Sequence, residues 1–317
     1  MQPEYTDEKE HASRWLCAYL YYGEPWEAFL CDAIEPFVEE VFRKRLVTSF
    51  FFIRYWENGP HIRLRFLLSA PEAHSVLVAF INEYFQDYMD LHPSSIAPDK
   101  MGNVLDPKPN NSILFTRYEP ETSRYGGISC LPDCEKHFFN SSQTVIRILS
   151  LYRNGWNASR QLSAAIQMHV ALIHSLGIKK EEASVFFSTL YQDWIGLLLE
   201  NEKGNKQETE TKLLAAFEKQ FSAQADNYVA FHGFFWEMLE QGEESDETWL
   251  QDWIIVAKKD MGGLKEKLRG DEKNFDRICK SFVHMTNNRL GVVSADEAYL
   301  AYIIGHSLQT KKMSGNL

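Results

Sequence analysis

The sequence predicts an α+β protein, with an N-terminal antiparallel sheet that includes an arginine-bearing hairpin, followed by a mainly helical C-terminal half. Three observations predict it. Short aromatic and β-branched runs bounded by Gly, Pro and Asn fill roughly residues 1–128. From about residue 129 the apolar spacing changes to the 3.6-residue period of amphipathic helices. No stretch between the halves has the composition of a flexible tether, so residues 1–317 are expected to form one domain with a strand-rich and a helical part.

Taken in order, SRWLCAYLYY (13–22) is aromatic, closed by Gly23 and Pro25, and predicts a strand. WEAFLCDAIEPFVEEVFRKR (26–45) has helical spacing with acidic residues ahead of a basic end, and Pro36 should kink it. FFFIRYWENGPHIRLRF (50–66) is a hairpin. PEAHSVLVAFINEYFQDYMDLH (71–92) opens with proline at an expected first helical turn. At about residues 93–112, HPSSIAPDKMGNVLDPKPNN is dense in Pro, Asn and Asp and predicts a long loop, a length that suggests a function such as covering a site. SILFTRYEP (112–120) is a short strand that leads into TSRYGG. Helices are then expected at 134–153, 158–176, 180–201, 210–240, 246–269, 272–290 and 295–309, with breaks at Gly155, Gly177, Gly242 and Gly270 and in NEKGNKQ.

Composition narrows the function. The net charge of −11 argues against a broad nucleic-acid-binding face, which needs clustered Lys and Arg. The polar, acidic start, MQPEYTDEKEHASRW, is unlike a signal peptide, and no apolar run approaches the ~18 residues of a membrane span. A cytoplasmic location is therefore expected. Cys17, Cys31, Cys130, Cys134 and Cys279 are scattered and odd in number, so they are read as reduced thiols; only Cys130 and Cys134 are close, without the companions of a zinc site. No His-Glu-x-x-His or acidic triad is present, and no lysine is marked as a pyridoxal phosphate site, so neither a metal nor an organic cofactor is expected.

Against that acidic background the hairpin concentrates positive charge. Asn58-Gly59 is a strong signal for a two-residue turn. It predicts a register with Trp56 opposite His61, Tyr55 opposite Ile62 and Arg54 opposite Arg63. Arg54, Trp56, His61, Arg63 and Arg65 would then share one face, and Ile53, Tyr55, Ile62, Leu64 and Phe66 the core face. Like charges directly opposed on a sheet are unfavourable. Either carboxylates from the later helices neutralise them or an anionic ligand does, and Arg117 and Arg124 on the next strand and its end are expected to join them. A second constellation, Ser281-Phe-Val-His284-Met-Thr-Asn-Asn288-Arg289, stacks His284 and Asn288 at i, i+4 on a helix. Such a histidine is either a packed residue or a general acid or base.

GPHIRLRF, then RYGG, then HMTNNRLG in this order and spacing resemble the thiopeptide-type bacteriocin biosynthesis domain, which is similar to the glutamate-elimination domain of class I lanthipeptide dehydratases. The resemblance runs from Trp15 to the last helix and looks like the stand-alone form. It implies a lyase that β-eliminates glutamate from O-glutamylated Ser or Thr of a precursor peptide, giving dehydroalanine or dehydrobutyrine. It also implies a separate tRNA-dependent glutamylation enzyme as partner, with a homodimer as a further possibility. By resemblance Arg63, Arg65, Arg124 and His284 are the catalytic set. Arg54, His61, Arg117, Tyr125 and Asn288 are second-rank, substrate-binding candidates. The rival readings are a formal [4+2] cycloaddition of two dehydroalanines on the same scaffold, as in a pyridine synthase, and a non-catalytic module that binds the leader peptide or the partner enzyme.

Overall fold

The computed structural model describes residues 7–96, 106–200 and 204–309. Residues 97–105, the middle of the expected long loop, lie outside the described residues. The described parts of Met1–Trp156 and Glu266–Arg289 form one compact unit; those of Asn157–Lys265 and Leu290–Leu317 form a second.

In the first unit four strands, β1 (Trp15–Tyr21), β2 (Val47–Tyr55), β3 (His61–Leu68) and β4 (Ser112–Thr116), form an antiparallel sheet in the order β2-β3-β1-β4. The α+β class is as the sequence predicts. A short helix α1 (Glu8–Ser13), capped by Asp7 accepting from the Lys9 amide, precedes β1 and was not legible as a separate element. The kink expected at Pro36 is a π turn over Leu30–Ile34 between α2 (Glu27–Phe29) and α3 (Glu35–Arg43). Proline has no N–H to return to the preceding turn, and the widened turn absorbs that loss.

The hairpin differs from the predicted register. Tyr55 pairs with His61, Arg54 with Ile62, Ile53 with Arg63 and Phe51 with Arg65, so residues 56–60 form the connection. Asn58 and Gly59 do take positive φ (61° and 112°), and the Gly59 amide closes on the Trp56 carbonyl at 3.1 Å. A two-residue turn would ask Pro60 for the amide that closes the flanking pair, which proline lacks. The slip of one residue moves every β2 side chain to the opposite face relative to β3.

One face of the sheet therefore carries Leu16, Ala18, Leu20, Phe50, Phe52, Arg54, Ile62, Leu64 and Phe66. It packs on α3 and α4 (Ala73–Leu91), where the Phe37 ring meets Phe66, Phe80, Tyr84 and Phe85 at centroid distances of 4.8–5.9 Å. Helix α5 (Leu131–Leu151) runs along the outer edge of β2, with Phe138 against Phe51, Phe139 against Phe50, and the Ser142 hydroxyl accepting from the Phe52 amide at 3.2 Å.

The second unit contains α6 (Ala158–His174), α7 (Lys180–Glu200), α8 (Lys206–Ser222), α9 (Ala225–Gln241), most of α10 (Thr248–Lys267) and α12 (Ser294–Leu308). The single helix expected at 210–240 is two helices, broken at Ala223–Gln224 without glycine or proline, with Phe221 stacked on Tyr228 across the break. A core of Ile195, Phe217, Ala298, Tyr299, Tyr302 and Ile303 joins α7, α8 and α12. Gly305 lets α12 approach α7 closely: a Cβ there would lie 3.0 Å from Ser188 Oγ, and Ser184 Oγ donates to the Gly305 carbonyl at 2.8 Å. The helix α11 (Glu272–Leu290) belongs to the first unit through Arg289.

Candidate functional site

The other face of the sheet carries the charge. Alternation places Phe51, Ile53 and Tyr55 of β2, His61, Arg63 and Arg65 of β3, and Cys17, Tyr19 and Tyr21 of β1 together. In the first unit this face borders a cleft of about 380 Å³ whose wall includes Arg65, Arg124, Tyr118, Tyr125, His284 and Asn288. Glu119 and Glu121 stand at it as well. His284, Met285 and Asn288 reach it from one face of α11, at the i, i+1, i+4 positions of a helix.

Arg65 is partly buried, with its guanidinium carbon 5.2 Å from the Phe51 ring and 5.3 Å from the Tyr118 ring. Its polar neighbours are the Tyr19 hydroxyl and the Cys17 thiol, and burial pushes that thiol up to about 11, so it stays protonated. Arg65 Nε is buried without a hydrogen-bond partner, and no carboxylate pairs with Arg65 among the described residues. Arg124 lies within a tight turn; its Nε donates to Ser281 Oγ at 3.0 Å and its Nη1 to Glu121 at 3.1 Å. Burial raises the phenol of Tyr125 to about 12.

Arg63 is on the same face but not in the cleft wall. Its guanidinium lies 3.4 Å from the Tyr55 ring centroid and 4.6 Å from that of Tyr19, its Nε donates to His61 Nε2 at 3.1 Å, and Glu57 is 3.5 Å away. The His61 ring is fully buried among Tyr19, Tyr21 and Tyr55, with Nδ1 2.8 Å from the Gly59 carbonyl oxygen. Burial drives its pKa down to about 4, and the neutral Nε2 serves as the acceptor for Arg63.

Two expected members are elsewhere. With the register shifted, Arg54 is on the opposite face, where its Nη1 meets Glu27 at 2.8 Å and its Nε donates to the Arg289 carbonyl at 2.9 Å. Arg117 is exposed and outside the cleft wall, because strand parity sends Thr116 and Tyr118 to the arginine face and Arg117 away from it. Asn288 binds the β2 edge: its side-chain oxygen accepts from the Arg54 amide at 2.9 Å and its amide donates to the Arg54 carbonyl at 2.8 Å.

Several contributors were given no role in the sequence reading, although Ser281 and Arg289 stand in the constellation quoted there. Ser281, three residues ahead of His284, was available from helical spacing. Tyr118 was available from parity with Thr116. Arg289 had no such signal: it is wholly buried, bonded to Ser142 Oγ at 2.9 Å and the Met285 carbonyl at 3.1 Å, with burial lowering its pKa to about 9. Among the described residues no group of three or more His, Cys, Asp or Glu is arranged to hold a metal ion, and no helix is long and apolar enough to cross a membrane. The cleft thus offers guanidinium donors, a histidine and aromatic walls, a combination suited to an anion beside a group that exchanges a proton.

Comparison with known proteins gives a consistent picture. A family model described as lantibiotic biosynthesis dehydratase C-term matches residues 15–308. The epidermin biosynthesis protein EpiB of Staphylococcus epidermidis is 24% identical over 304 residues, covering 94% of this chain and 26% of EpiB, so the chain spans about a quarter of that relative's length. Among solved structures, the pyridine synthase TbtD from thiomuracin biosynthesis superposes with a TM-score of 0.72 at 16% identity, over 93% of this chain and 97% of TbtD. The tRNA-dependent lantibiotic dehydratase MibB from Microbispora sp. 107891 gives 0.67 at 17% identity, over 97% of this chain and 28% of MibB. TsrL gives 0.61 at 17% identity, over 92% and 93%. At these identities the structural likeness is one of fold.

Proposed function

The chain belongs to the lantibiotic biosynthesis dehydratase C-terminal family, and from that premise we propose that it matures a ribosomally made peptide by eliminating glutamate from O-glutamylated serine or threonine. The observation that carries this reading is the cleft in which Arg65, left without a carboxylate partner among the described residues, meets Arg124 and His284. A glutamyl ester converts a poor hydroxyl leaving group into a carboxylate. What remains is loss of a weakly acidic Cα proton and cleavage of the Cβ–O bond, giving the dehydro residue and free glutamate. Negative charge builds on the carbonyl oxygen next to Cα and on the departing carboxylate, and fixed cationic donors at those positions lower the barrier.

Arg65 and Arg124 are assigned to those charges and to the free carboxylate of the glutamyl group, which a guanidinium group holds bidentately. Arg63 acts from behind Tyr55, in the cleft wall, whose ring its guanidinium faces. His284 is assigned to proton transfer. The substrate partner is then a glutamylated precursor peptide, and a separate glutamylating enzyme supplies the ester. A second reading, cycloaddition of two dehydroalanines, has the aromatic wall of Phe51, Tyr55, Tyr118, Tyr125 and Phe138 in its favour.

The test is to incubate the protein with a synthetic peptide carrying one O-glutamyl serine and follow it by mass spectrometry. Release of glutamate with formation of dehydroalanine supports the reading. An ester that stays intact, with its native leader sequence present, rejects it, and a peptide with two dehydroalanines then tests the second.

A further inference from the structure

We propose that His11, Glu135 and Tyr118 form a buried chain that positions Arg65, with the Tyr118 ring as the shelf against which its guanidinium rests; the inference deepens the reading of the cleft given above. Tyr118 lies in the cleft wall two residues past β4, and its ring centroid is 5.3 Å from the Arg65 guanidinium carbon. Its hydroxyl points away and donates to Glu135 Oε1 at 2.7 Å. His11 Nε2 stands 2.8 and 2.9 Å from the two oxygens of the same carboxylate. All three residues are at most 5% exposed.

A carboxylate taken out of water is costly, and a well-packed apolar side chain is often the more stable alternative. Glu135 instead spends Oε1 on the Tyr118 hydroxyl, with both of its oxygens within hydrogen-bond distance of His11 Nε2. Burial and the adjacent Glu135 keep the Tyr118 phenol protonated far above neutral pH, so it is a permanent donor and the direction of the bond is fixed. Tyr118 is thereby tied to α5 through Glu135 and to α1 through His11. A guanidinium lying on a ring that cannot turn is held by a π face, with no carboxylate to neutralise it. Its Nε–H remains without a protein acceptor. His11 and Glu135 face a second cleft of about 340 Å³, lined also by Arg14 and Lys136, so the chain spans from one cleft to the other. His11 precedes the family-matched residues 15–308.

The experiment pairs turnover with a direct view of Arg65. Tyr118→Phe keeps the ring and removes the bond to Glu135; Glu135→Ala removes the anchor, and Glu135→Gln keeps an acceptor for the phenol. On the O-glutamyl peptide, Tyr118→Phe and Glu135→Ala are expected to lower kcat about tenfold or more with KM within about twofold, because misplacing a catalytic group is a transition-state cost. Glu135→Gln is expected to recover most of that loss. In nitrogen-15 arginine spectra, the Nε–H resonance assigned to Arg65 by its disappearance in Arg65→Lys should shift in Tyr118→Phe and in Glu135→Ala, and lie closer to the wild-type position in Glu135→Gln than in Glu135→Ala. Thermal melts identify any variant that fails to fold. An Arg65 resonance unmoved in folded Tyr118→Phe overturns the proposal, whatever the turnover. If the wild-type protein leaves the ester intact, the assigned reaction is wrong, and the resonance still decides whether the chain holds Arg65.

Discussion

The two faces of the same sheet treat arginine in opposite ways. On the face packed against α3 and α4, Arg54 is almost wholly buried and meets Glu27 and a main-chain carbonyl at hydrogen-bond distance. On the other, Arg63 and Arg65 lie against tyrosine and phenylalanine rings; Arg63 keeps Glu57 3.5 Å away, and Arg65 faces a cleft with no carboxylate partner among the described residues. A guanidinium balanced by the protein ties the structure together, whereas one set on aromatic rings keeps its charge for a ligand. Residues of one type eleven positions apart on one hairpin are thus separated into a structural and a chemical role by strand parity.

The largest expected effect tests the chemical side. Arg65→Ala should lower glutamate elimination about 10²- to 10³-fold, the usual loss for one fixed donor at a developing charge, with the melting temperature little changed. A stability loss without a rate loss would place Arg65 with Arg54 instead. The converse holds for Arg54→Met, expected to cost about 2–3 kcal/mol in urea unfolding because it strands the Arg289 carbonyl and Glu27. Its turnover well below the melting temperature should stay within a few-fold of wild type. A fall in kcat as large as that of Arg65→Ala would break the comparison.

His61 sharpens it through pH. Its folded pKa of about 4 lies below the 6.5 of an unburied histidine, so between those values the unfolded chain binds the extra proton. Stability contributed by the neutral ring is complete above about pH 6.5 and is lost on acidification towards pH 4, at up to about 1.4 kcal/mol per pH unit. The buried His232 of the second unit, also near 4, adds the same trend. The informative quantity is therefore the difference between wild type and His61→Gln. Urea midpoints at pH 7, 5.5 and 4.5 should converge as the pH falls, and a constant gap would mean that His61 takes up its proton alike in the folded and unfolded chains.

Much of this was legible in the sequence, and the failures have local causes. Helices with strong amphipathic spacing and glycine stops were found close to their observed ends, as with 272–290 and 158–176 against Ala158–His174. The break at Ala223–Gln224 carries no such stop, and adjacent helical periods merged across it. The hairpin was recognised, but its register was read from Asn58-Gly59 alone. The missing amide of Pro60 outweighed that signal and moved Arg54 from the site into the core face. The gathering of Arg65, Arg124, Tyr125, His284 and Asn288 around one cleft needs residues more than two hundred positions apart, and only the resemblance of motifs suggested it.

Asn288 gives the smallest effect and the most direct probe of the border between the faces. It lines the cleft, yet its carboxamide is occupied by the outer edge of β2, accepting from one amide and donating to one carbonyl of Arg54. In effect it stands in for one residue of a neighbouring strand. Asn288→Ala would leave both backbone groups of a buried residue without these partners, at a cost of about 1–2 kcal/mol. Asn288→Asp keeps an acceptor for the amide but, when ionised, sets a negative oxygen against the carbonyl, so it should be as unstable as alanine at pH 7. It should recover as the pH falls into the carboxyl range and the side chain regains a proton to donate. Chemical denaturation at pH 7 and pH 4.5 measures this, with wild type correcting for the histidine trend. If Asn288→Asp is instead as stable as wild type at pH 7 while KM for the glutamyl peptide rises, Asn288 acts on the substrate rather than on the strand.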